Sequence, residues 1–237
     1  MENVDEYGES TLDAIAEAPA FNQWMFDTIR PFLDGKVFEF GSGIGNISDL
    51  AINAGLELTV SDLRQNYLSQ LQNKLSLDPS RAVKVDMVHP DFEKEYHHLI
   101  GQFDAVFALN VVEHIEDHKL AMVNASLLLR TGGKLVVLVP AYQSLYNDFD
   151  KELGHYRRFT KNTLKNYIPQ NLELLKISYF NAVGILGWYV SGSILKKKEI
   201  DKGSMRLYNR MMPIIKLVDS IIFRQVGLSV WVALEKK

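Results

Sequence analysis

The chain contains no cysteine, which excludes a disulfide framework, a cysteine-ligated zinc site and thiol catalysis. It also has no excess of positive charge. The 26 Lys and Arg residues are outnumbered by 29 Asp and Glu residues, for a net charge of −3, so bulk electrostatic binding to nucleic acid is not expected. The acidic, polar N-terminus MENVDEYGES has the character of neither a signal peptide nor a transit peptide. A soluble, cytoplasmic protein is therefore expected.

A long, purely apolar run is also missing. The nearest approach to one is ISYFNAVGILGWYVSGSIL at residues 177–195, which is uncharged but includes serines, an asparagine and three glycines. This dilution disfavours a membrane span. A strand followed by a buried helix is predicted instead.

Charge is distributed unevenly along the chain. Residues 1–20 contain six acidic and no basic side chains, whereas residues 196–224 are rich in Lys and Arg. Residues 211–222 also place apolar side chains at helical spacing. Such amphipathic stretches mostly pack on their own domain; the alternative is a basic face for an anionic lipid or an acidic partner. Two alternatives therefore stay open for residues 190–224: packing on their own domain, or peripheral contact with a membrane.

Short apolar runs alternate with helical stretches, the pattern of an α/β protein with a parallel sheet covered on both faces. At 237 residues a single domain is expected. Residues 181–226 are far longer than a hairpin needs, and much of this insertion is predicted to be helical. The predicted strands are 36–40, 57–61, 82–86, 103–109, 134–139, 172–179 and 228–235. The predicted helices are 11–33, one within 45–54, 65–75 and one around 119–129.

The first motif is VFEFGSGIGNIS, in which an apolar run leads into three glycines on alternate positions: Gly41, Gly43 and Gly45. Glycines at the carboxyl end of a strand let the backbone approach a ligand closely. A dinucleotide-binding loop needs a further glycine where this sequence has Asn46. Glu39, just before the loop, suits an ammonium or sulfonium group better than a phosphate. The motif therefore favours a cationic ligand over a pyrophosphate.

Two acidic residues follow the next predicted strands. Asp62 ends the second strand, where a carboxylate can accept hydrogen bonds from both hydroxyls of a ribose. Asp86 ends the third, where it could take an adenine amino group while Met87 lies against the ring. A third acid at a third strand end is less expected of a dinucleotide site.

The fourth predicted strand runs into FDAVFALNVVEHIED, residues 103–117. A strand that stops at Asn110 places backbone carbonyls and small polar groups beside a reacting carbon, with Glu113 and His114 at the mouth of the site. His114 and His118 are four residues apart, but the zinc-protease motif needs a glutamate where Ile115 stands. No metal is therefore expected, and His114 is predicted to cap or line a pocket.

Taken in order, these motifs resemble those of class I S-adenosylmethionine (SAM)-dependent methyltransferases, in the broad group that includes the ubiquinone-biosynthesis O-methyltransferases. The segments that carry the resemblance are EFGSGIG, SDL, VDM, LNVVEHIED and LLLRTGGKLVVLVP. They cover roughly residues 20–180, and the final strand adds to them. The resemblance implies a Rossmann-like, doubly wound sheet of seven strands with the last strand antiparallel. It divides the chain into an N-terminal lid (1–33), a core (34–180 and 227–237) and a helical insertion (181–226).

The resemblance also implies roles for individual residues. The methionine part of SAM would be held by Glu39, Gly41, Ser42, Gly43 and Gly45. The ribose would be held by Asp62 beside Leu63, and the adenine by Asp86 and Met87. The sulfonium end would meet Asn110, Val111 and His114. The N-terminal segment, with Tyr7 and Trp24, would fold over the cofactor, and Tyr7 would face the substrate.

The reaction implied is an in-line displacement in which the cofactor supplies the activated methyl group. The acceptor would be a small molecule, a glycan or a lipid-linked compound, methylated on oxygen. The loop PAYQSLYNDFDKELGHYRRFT, residues 140–160, offers His155 as a candidate base and Arg157 as a catalytic partner, with Tyr142, Tyr146 and Arg158 for the substrate. The alternative is a loop held by pairs between its arginines and carboxylates.

Other functions remain open from the sequence. They are a methyltransferase acting on a peptide or protein, a NAD-dependent oxidoreductase, and a non-catalytic partner protein that binds SAM. Asn46 and the surplus acid Asp86 count against the oxidoreductase. The sequence does not predict the oligomeric state or the identity of the acceptor.

Overall fold

The computed structural model describes the backbone of residues 3–197 and 199–237, and the side chains of residues 8–197 and 199–237. A seven-stranded sheet with strand order β3-β2-β1-β4-β5-β7-β6 organises these residues. Strands β1 to β5 pair in parallel, whereas β7 runs antiparallel to both β5 and β6. The predicted fold class is therefore confirmed. The strands are β1 Lys36–Phe40, β2 Glu57–Ser61, β3 Ala82–Val83, β4 Phe103–Leu109, β5 Leu129–Pro140, β6 Leu172–Phe180 and β7 Ser229–Lys236.

Helices pack on both faces of the sheet. The α-helices are α1 Asn3–Ala16, α2 Pro19–Ile29, α3 Ser48–Asn53, α4 Gln65–Leu75, α5 Phe92–Glu95, α6 His118–Leu128, α7 Asp148–Glu152, α8 Lys161–Lys165, α9 Ala182–Trp188, α10 Lys202–Arg210 and α11 Met212–Ile221. A π-helical turn, Tyr189–Ile194, continues α9. Short 3₁₀ turns lie at Arg30–Phe32, Pro79–Arg81, His97–Leu99, Val112–His114 and Gln143–Leu145.

The central strands are buried along most of their length because both faces of the sheet are covered. Along β4, Val106 and Ala108 join one core cluster, while Ala105 and Phe107 join the cluster on the opposite face. Side chains alternate between faces along a strand, so a strand covered on both sides reads as a continuous apolar run. This is why the bounds of β1, β2 and β4 match the predicted ones.

Three predicted elements differ from the structure. The single helix predicted over residues 11–33 is two helices, since Pro19 cannot donate a backbone hydrogen bond and begins α2 instead. Strand β3 ends at Val83 rather than at Asp86. Strand β5 begins five residues early, at Leu129, and passes through a register irregularity where Gly132 has a positive φ of 76°.

The helices between β6 and β7 were expected to begin with a buried helix. Helix α9 follows β6 as predicted, but Leu186 and Tyr189 are exposed, so that part of the prediction is wrong. Helix α11 is tied to α9 because Asp219 accepts a hydrogen bond from the backbone amide of Ala182 at 2.7 Å. Within the residues that the structure describes, no helix is long and apolar enough to cross a membrane.

Candidate active site

The glycine loop after β1 forms one wall of a large cavity. Its three glycines have positive φ angles of 64°, 54° and 80°, which ordinary residues rarely adopt. A Cβ on Gly41 would stand 2.6 Å from the side chain of Val111, and one on Gly43 would stand 2.9 Å from Leu12. Both glycines line the cavity. Gly45 does not, because it packs against Leu71 of α4.

Glu39 brings a buried carboxyl group to this wall. The side chain is only 4% exposed, and its Oε2 accepts a hydrogen bond of 2.5 Å from the Ser48 hydroxyl. Burial raises the pKa of Glu39 to about 7, and the hydrogen bonds from Ser48 and Ser42 only partly oppose this. Ser42 also lines the cavity. A cationic group placed here would restore the ionised carboxylate.

Asp62 and Asp86 lie at neighbouring positions along the same edge of the sheet, and both line the cavity. Asp62 accepts hydrogen bonds from the backbone amides of Gly43 at 3.1 Å and Arg64 at 2.9 Å. The Asp86 carboxylate accepts from the amide of Val88 at 2.9 Å. Leu63 and Met87 line the cavity beside the two acids. The end of β2 and the segment after β3 thus bring together the two carboxylates predicted for ribose and adenine.

Helix α1 covers the glycine loop. Leu12 packs on Gly43, and the Asn46 side chain donates to the backbone carbonyl of Leu12 at 3.1 Å. Asn46, the residue that departs from a dinucleotide motif, therefore connects the loop to the helix. Trp24 was predicted to lie over the cofactor, but it packs in the core 4.1 Å from the Phe180 ring. The side chain of Tyr7, the other predicted lid residue, lies outside the described residues.

The chain after β4 enters the cavity through Asn110, Val111, Glu113 and His114. Asn110 has a positive φ of 55° and donates its backbone amide to Leu138 of β5 at 2.8 Å. Glu113 is fully buried. Burial raises its pKa to about 7, despite the nearby His155 and Arg158. His114 is partly open to the cavity, yet burial, reinforced by His155, lowers its pKa to about 3.

In the loop between β5 and β6, Asp150 is the central residue. Its fully buried carboxylate accepts from Nδ1 of His155 at 2.7 Å and from Nε of Arg158 at 2.8 Å. Burial alone would raise the pKa of Asp150, but these partners outweigh burial and lower it. Arg158 also donates to the carbonyl of Ala141 at 3.1 Å. His155 and Arg158 both line the cavity, but the main contact of the Arg158 side chain is its ion pair with Asp150.

Three residues predicted for catalysis or substrate binding are not brought to the cavity. Arg157 donates to the backbone carbonyls of Ile115 at 3.1 Å and Glu116 at 2.8 Å, so it fixes the preceding loop. Tyr142 stacks on Tyr179 with ring centroids 4.9 Å apart. The Tyr146 hydroxyl donates to the carbonyl of His155 at 2.7 Å. Their contacts give these three side chains positioning roles in place of the catalytic and substrate roles predicted.

The cavity has a volume of about 1570 Å³, larger than the roughly 300–1,000 Å³ of typical small-molecule sites. It continues from the glycine loop to the insertion, where Asn181, Trp188 and Tyr208 line it. The Tyr208 hydroxyl donates to the Asn181 side chain at 2.5 Å. One sequence signal pointed to Asn181, which is a polar residue directly after an apolar strand. No such signal pointed to Tyr208, which lies in the insertion.

The site fits SAM on its own geometry. The glycine loop leaves no room for side chains, the buried Glu39 lacks a cationic partner among the described residues, and two further carboxylates line the same wall. SAM carries two cationic groups and an adenosine, which these features complement.

Comparisons with known proteins agree with this fit. Residues 38–135 match a family model described as a methyltransferase domain. No curated protein matches the chain. A structure of geranyl diphosphate methyltransferase in complex with SAM is similar with a TM-score of 0.60 and 12% identity, covering 92% of this chain and 85% of that one. A SAM-dependent methyltransferase from Archaeoglobus fulgidus has a TM-score of 0.55 and 17% identity, covering 91% and 94%.

A third similar structure is phosphoethanolamine N-methyltransferase 2 of Haemonchus contortus in complex with SAM. Its TM-score is 0.57 at 17% identity, and the match covers 92% of this chain but only 52% of that longer one. These comparisons do not test the narrower resemblance to the ubiquinone-biosynthesis O-methyltransferases, so membership of that group stays a prediction. Residues 38–135 thus match a methyltransferase domain, and the chain has the fold of SAM-dependent methyltransferases.

Proposed function

We propose that this enzyme methylates a hydroxyl group of a small molecule that carries an apolar chain and is presented at a lipid surface. One observation carries the proposal: the cavity that holds Glu39 and Asp62 also runs between apolar side chains of the insertion, including Leu207 and Met211. A polar acceptor group could lie near the glycine loop while its apolar part extends between the helices. The volume of the cavity leaves room for an acceptor beside the cofactor.

The outer face of the insertion supports presentation by a lipid. We call it the outer apolar face, defined by exposed residues of α10, α11 and the turn after α11: Leu207, Met211, Ile214, Leu217, Ile221 and Phe223. Their exposed fractions run from 41% to 82%. On α11 these residues recur at spacings of three and four, so they share one side of the helix, while Met212 and Ile215 are buried on the other. A contiguous exposed apolar surface of this kind marks an interaction site.

Charge beside this face favours an anionic lipid over a second protein copy. Part of the basic stretch is neutralised by α1 and the residue after it, because Lys202 pairs with Asp13 at 3.4 Å and Arg206 pairs with Glu17 at 3.5 Å. Arg210 and Lys216 have no acidic partner among the described residues. Two copies meeting through the same face would oppose these cations to each other, whereas an anionic membrane would attract them.

We assign a separate role in the reaction to each of several residues of the chain. SAM supplies a methyl group on a positively charged sulfur. Glu39 balances positive charge, Asp62 and Asp86 orient the adenosine, and α1 excludes water from the loop. His155 is the side chain suited to receive the acceptor's proton, because Asp150 holds its Nδ1 and fixes the orientation of the ring. Two of the similar proteins are named as methyltransferases of geranyl diphosphate and of phosphoethanolamine. Both compounds are small molecules, which supports a small-molecule acceptor here.

The test follows a labelled methyl group. Enzyme and methyl-tritiated SAM are incubated with a lipid extract reconstituted in anionic vesicles, and we expect label in the organic phase and co-sedimentation of the enzyme that weakens with salt. Replacing Ile214 and Leu217 together by serine removes two apolar side chains from the outer apolar face. Since each is worth about 1.5–3 kcal/mol when buried, vesicle binding should fall at least tenfold while SAM affinity is unchanged.

Leu175→Ser is the matched control, because Leu175 is exposed on β6 away from this face; it should leave vesicle binding intact. Three results would each overturn the proposal. They are no sedimentation at low salt, label that appears only in peptides or in water-soluble products, and a concentration-dependent dimer that the serine variant abolishes. The last result would show that the face joins two copies.

A second prediction concerns the pH dependence of SAM binding through Glu39. Its pKa rises from the usual 4.5 to about 7 on folding, so the free enzyme holds a proton that a cationic ligand displaces. SAM affinity should therefore increase roughly five- to tenfold from pH 6 to pH 7.5, with uptake of a proton by the buffer. Without ligand, the same shift makes the free energy of unfolding fall as pH rises between 4.5 and about 7.

Calorimetric titrations in two buffers of different ionisation enthalpy measure both effects. Glu39→Gln should bind SAM more weakly and with a flat pH profile, whereas Glu57→Gln, at the exposed start of β2, should behave like the wild type. A pH profile that persists in Glu39→Gln would assign the titration to another group.

A further inference from the structure

We propose that Glu113, His114 and His155 form a binding site for one divalent cation. Each offers a ligand atom, and these three atoms lie within 4.8 Å of one another. The two imidazole rings are 4.6 Å apart at an angle of 80°, and all three residues line the cavity. Cations held by two histidines and one carboxylate retain open coordination positions.

The Glu113 carboxyl group is the strongest sign of a missing partner. It is fully buried, and neither of its oxygens accepts a hydrogen bond from another described residue. Arg158 is close by but is already committed to Asp150 through both carboxylate oxygens, at 2.8 and 3.0 Å. A buried carboxylate without a partner costs several kcal/mol. A bound cation would supply the partner that the protein itself does not.

Both histidines have the support that metal-binding histidines usually have. A ligand imidazole commonly donates its second ring nitrogen to a carboxylate or a backbone carbonyl, which fixes the ring and its tautomer. His155 has the Asp150 carboxylate at 2.7 Å from its Nδ1, which directs Nε2 to a further ligand. The backbone carbonyl of Leu153 lies beside the His114 ring. An oxygen of the protein therefore stands next to each of the two rings.

The two segments that supply the ligands are fastened to each other. Glu113 and His114 belong to the 3₁₀ turn Val112–His114, while His155 follows α7. The backbone amide of Tyr156 donates to the carbonyl of Glu113 at 2.8 Å, so the ligands are held in register before a cation binds. The His114/His118 spacing noted in the sequence is not the relevant pair, because the His118 ring packs against the rings of Phe159 and Tyr167.

The donor set indicates the kind of cation. Imidazole nitrogens favour zinc or iron and magnesium and calcium favour oxygen ligands alone, while manganese, which favours oxygen, would rely on the carboxylate and the open positions. Because His114 is open to the cavity, an acceptor oxygen could complete the coordination, and a bound hydroxyl would become more acidic. That role rests on the proposed function, but the binding of the cation does not. In this arrangement His155 acts as a ligand in place of the proton-accepting role proposed above, and the proton of the more acidic hydroxyl leaves to water in the open cavity.

Metal titration without any assay of activity tests the site. Untagged enzyme is freed of metal with a chelator and titrated with Mn²⁺ and with Zn²⁺, followed by calorimetry and, for Mn²⁺, by paramagnetic resonance. We expect one site per chain. Glu113→Gln and His155→Asn should each weaken binding at least a hundredfold, since loss of an outer-shell partner alone costs about 10–100-fold. Glu116→Gln and His98→Asn, both exposed, are the matched controls and should bind like the wild type.

Thermal unfolding separates a lost ligand from a damaged fold. Metal-free Glu113→Gln should melt no lower than the metal-free wild type, because the variant removes an unpaired buried charge, and added Mn²⁺ should raise the melting temperature of the wild type alone. Wild-type enzyme that binds neither cation would overturn the proposal, as would unchanged affinity in Glu113→Gln. SAM binding measured on the same samples distinguishes this failure from a failure of the proposed function.

Discussion

Replacing Asp62 by alanine is expected to weaken binding of SAM and of its demethylated product by about a hundredfold each. A carboxylate at this strand end can accept both ribose hydroxyls, and hydrogen bonds to a charged group contribute about 1.5–3 kcal/mol apiece. Because the ribose is common to both ligands, the two losses should be equal. Calorimetric titration at fixed pH measures them, and wild-type enzyme should be stabilised against heat by SAM but not by NAD.

Asp62 also accepts hydrogen bonds from the loop amides of Gly43 and Arg64, so the unliganded variant should melt slightly lower. Asp49→Ala is the control, because Asp49 is exposed in the first turn of α3 and should leave both affinities unchanged. A loss confined to SAM would mean that Asp62 interacts with the sulfonium and not with the ribose.

The sequence predicted the sheet well for a specific physical reason. Strands β1, β2 and β4 lie between two layers of helices, so most of their side chains are buried and their apolar residues stand out in the sequence. The edge of the sheet follows a different rule. Strand β3 pairs only with β2, and the residues after Val83 turn away although Val85 remains buried. An apolar run marks burial, and burial does not require a strand.

The residues of the cofactor-binding site could also be predicted from the sequence, because they stand at fixed places relative to strand ends. Glu39 and Asp62 line the cavity where the motifs put them. Trp24 was misjudged because an aromatic residue in an amphipathic helix has the same pattern whether it faces a ligand or the core. Only the packing on Phe180 decides between the two.

The loop after β5 shows what spacing along the chain does not reveal. Its arginines and histidine were interpreted as one catalytic group, but the structure separates them. Arg158 turns inward to Asp150, Arg157 turns to backbone carbonyls 41 residues earlier, and His155 meets His114 across the cavity. The absence of a metal motif was inferred from His114 and His118 alone. The third residue of the proposed cluster lies on another segment, where no local pattern points to it.

Replacing Asp150 by alanine is expected to have the largest effect on stability. Asp150 is the only acidic partner of the buried Arg158 side chain among the described residues, and it also holds His155. Removing one member of a buried pair leaves an uncompensated charge and costs about 3–5 kcal/mol. For a domain of this size that corresponds to a melting temperature lower by about 6–20 °C. Calorimetric unfolding of metal-free enzyme measures it.

Asp148→Ala is the matched control, since Asp148 lies on the same helix and its contact with Lys151 is exposed; its melting temperature should stay close to that of the wild type. The double variant Asp150→Ala with Arg158→Met removes the unpaired guanidinium charge as well. If the cost of the single variant comes from the unpaired guanidinium, the double variant should be more stable than Asp150→Ala. A double variant that loses the sum of both single losses would show instead that the pair itself stabilises the loop beyond its electrostatic balance.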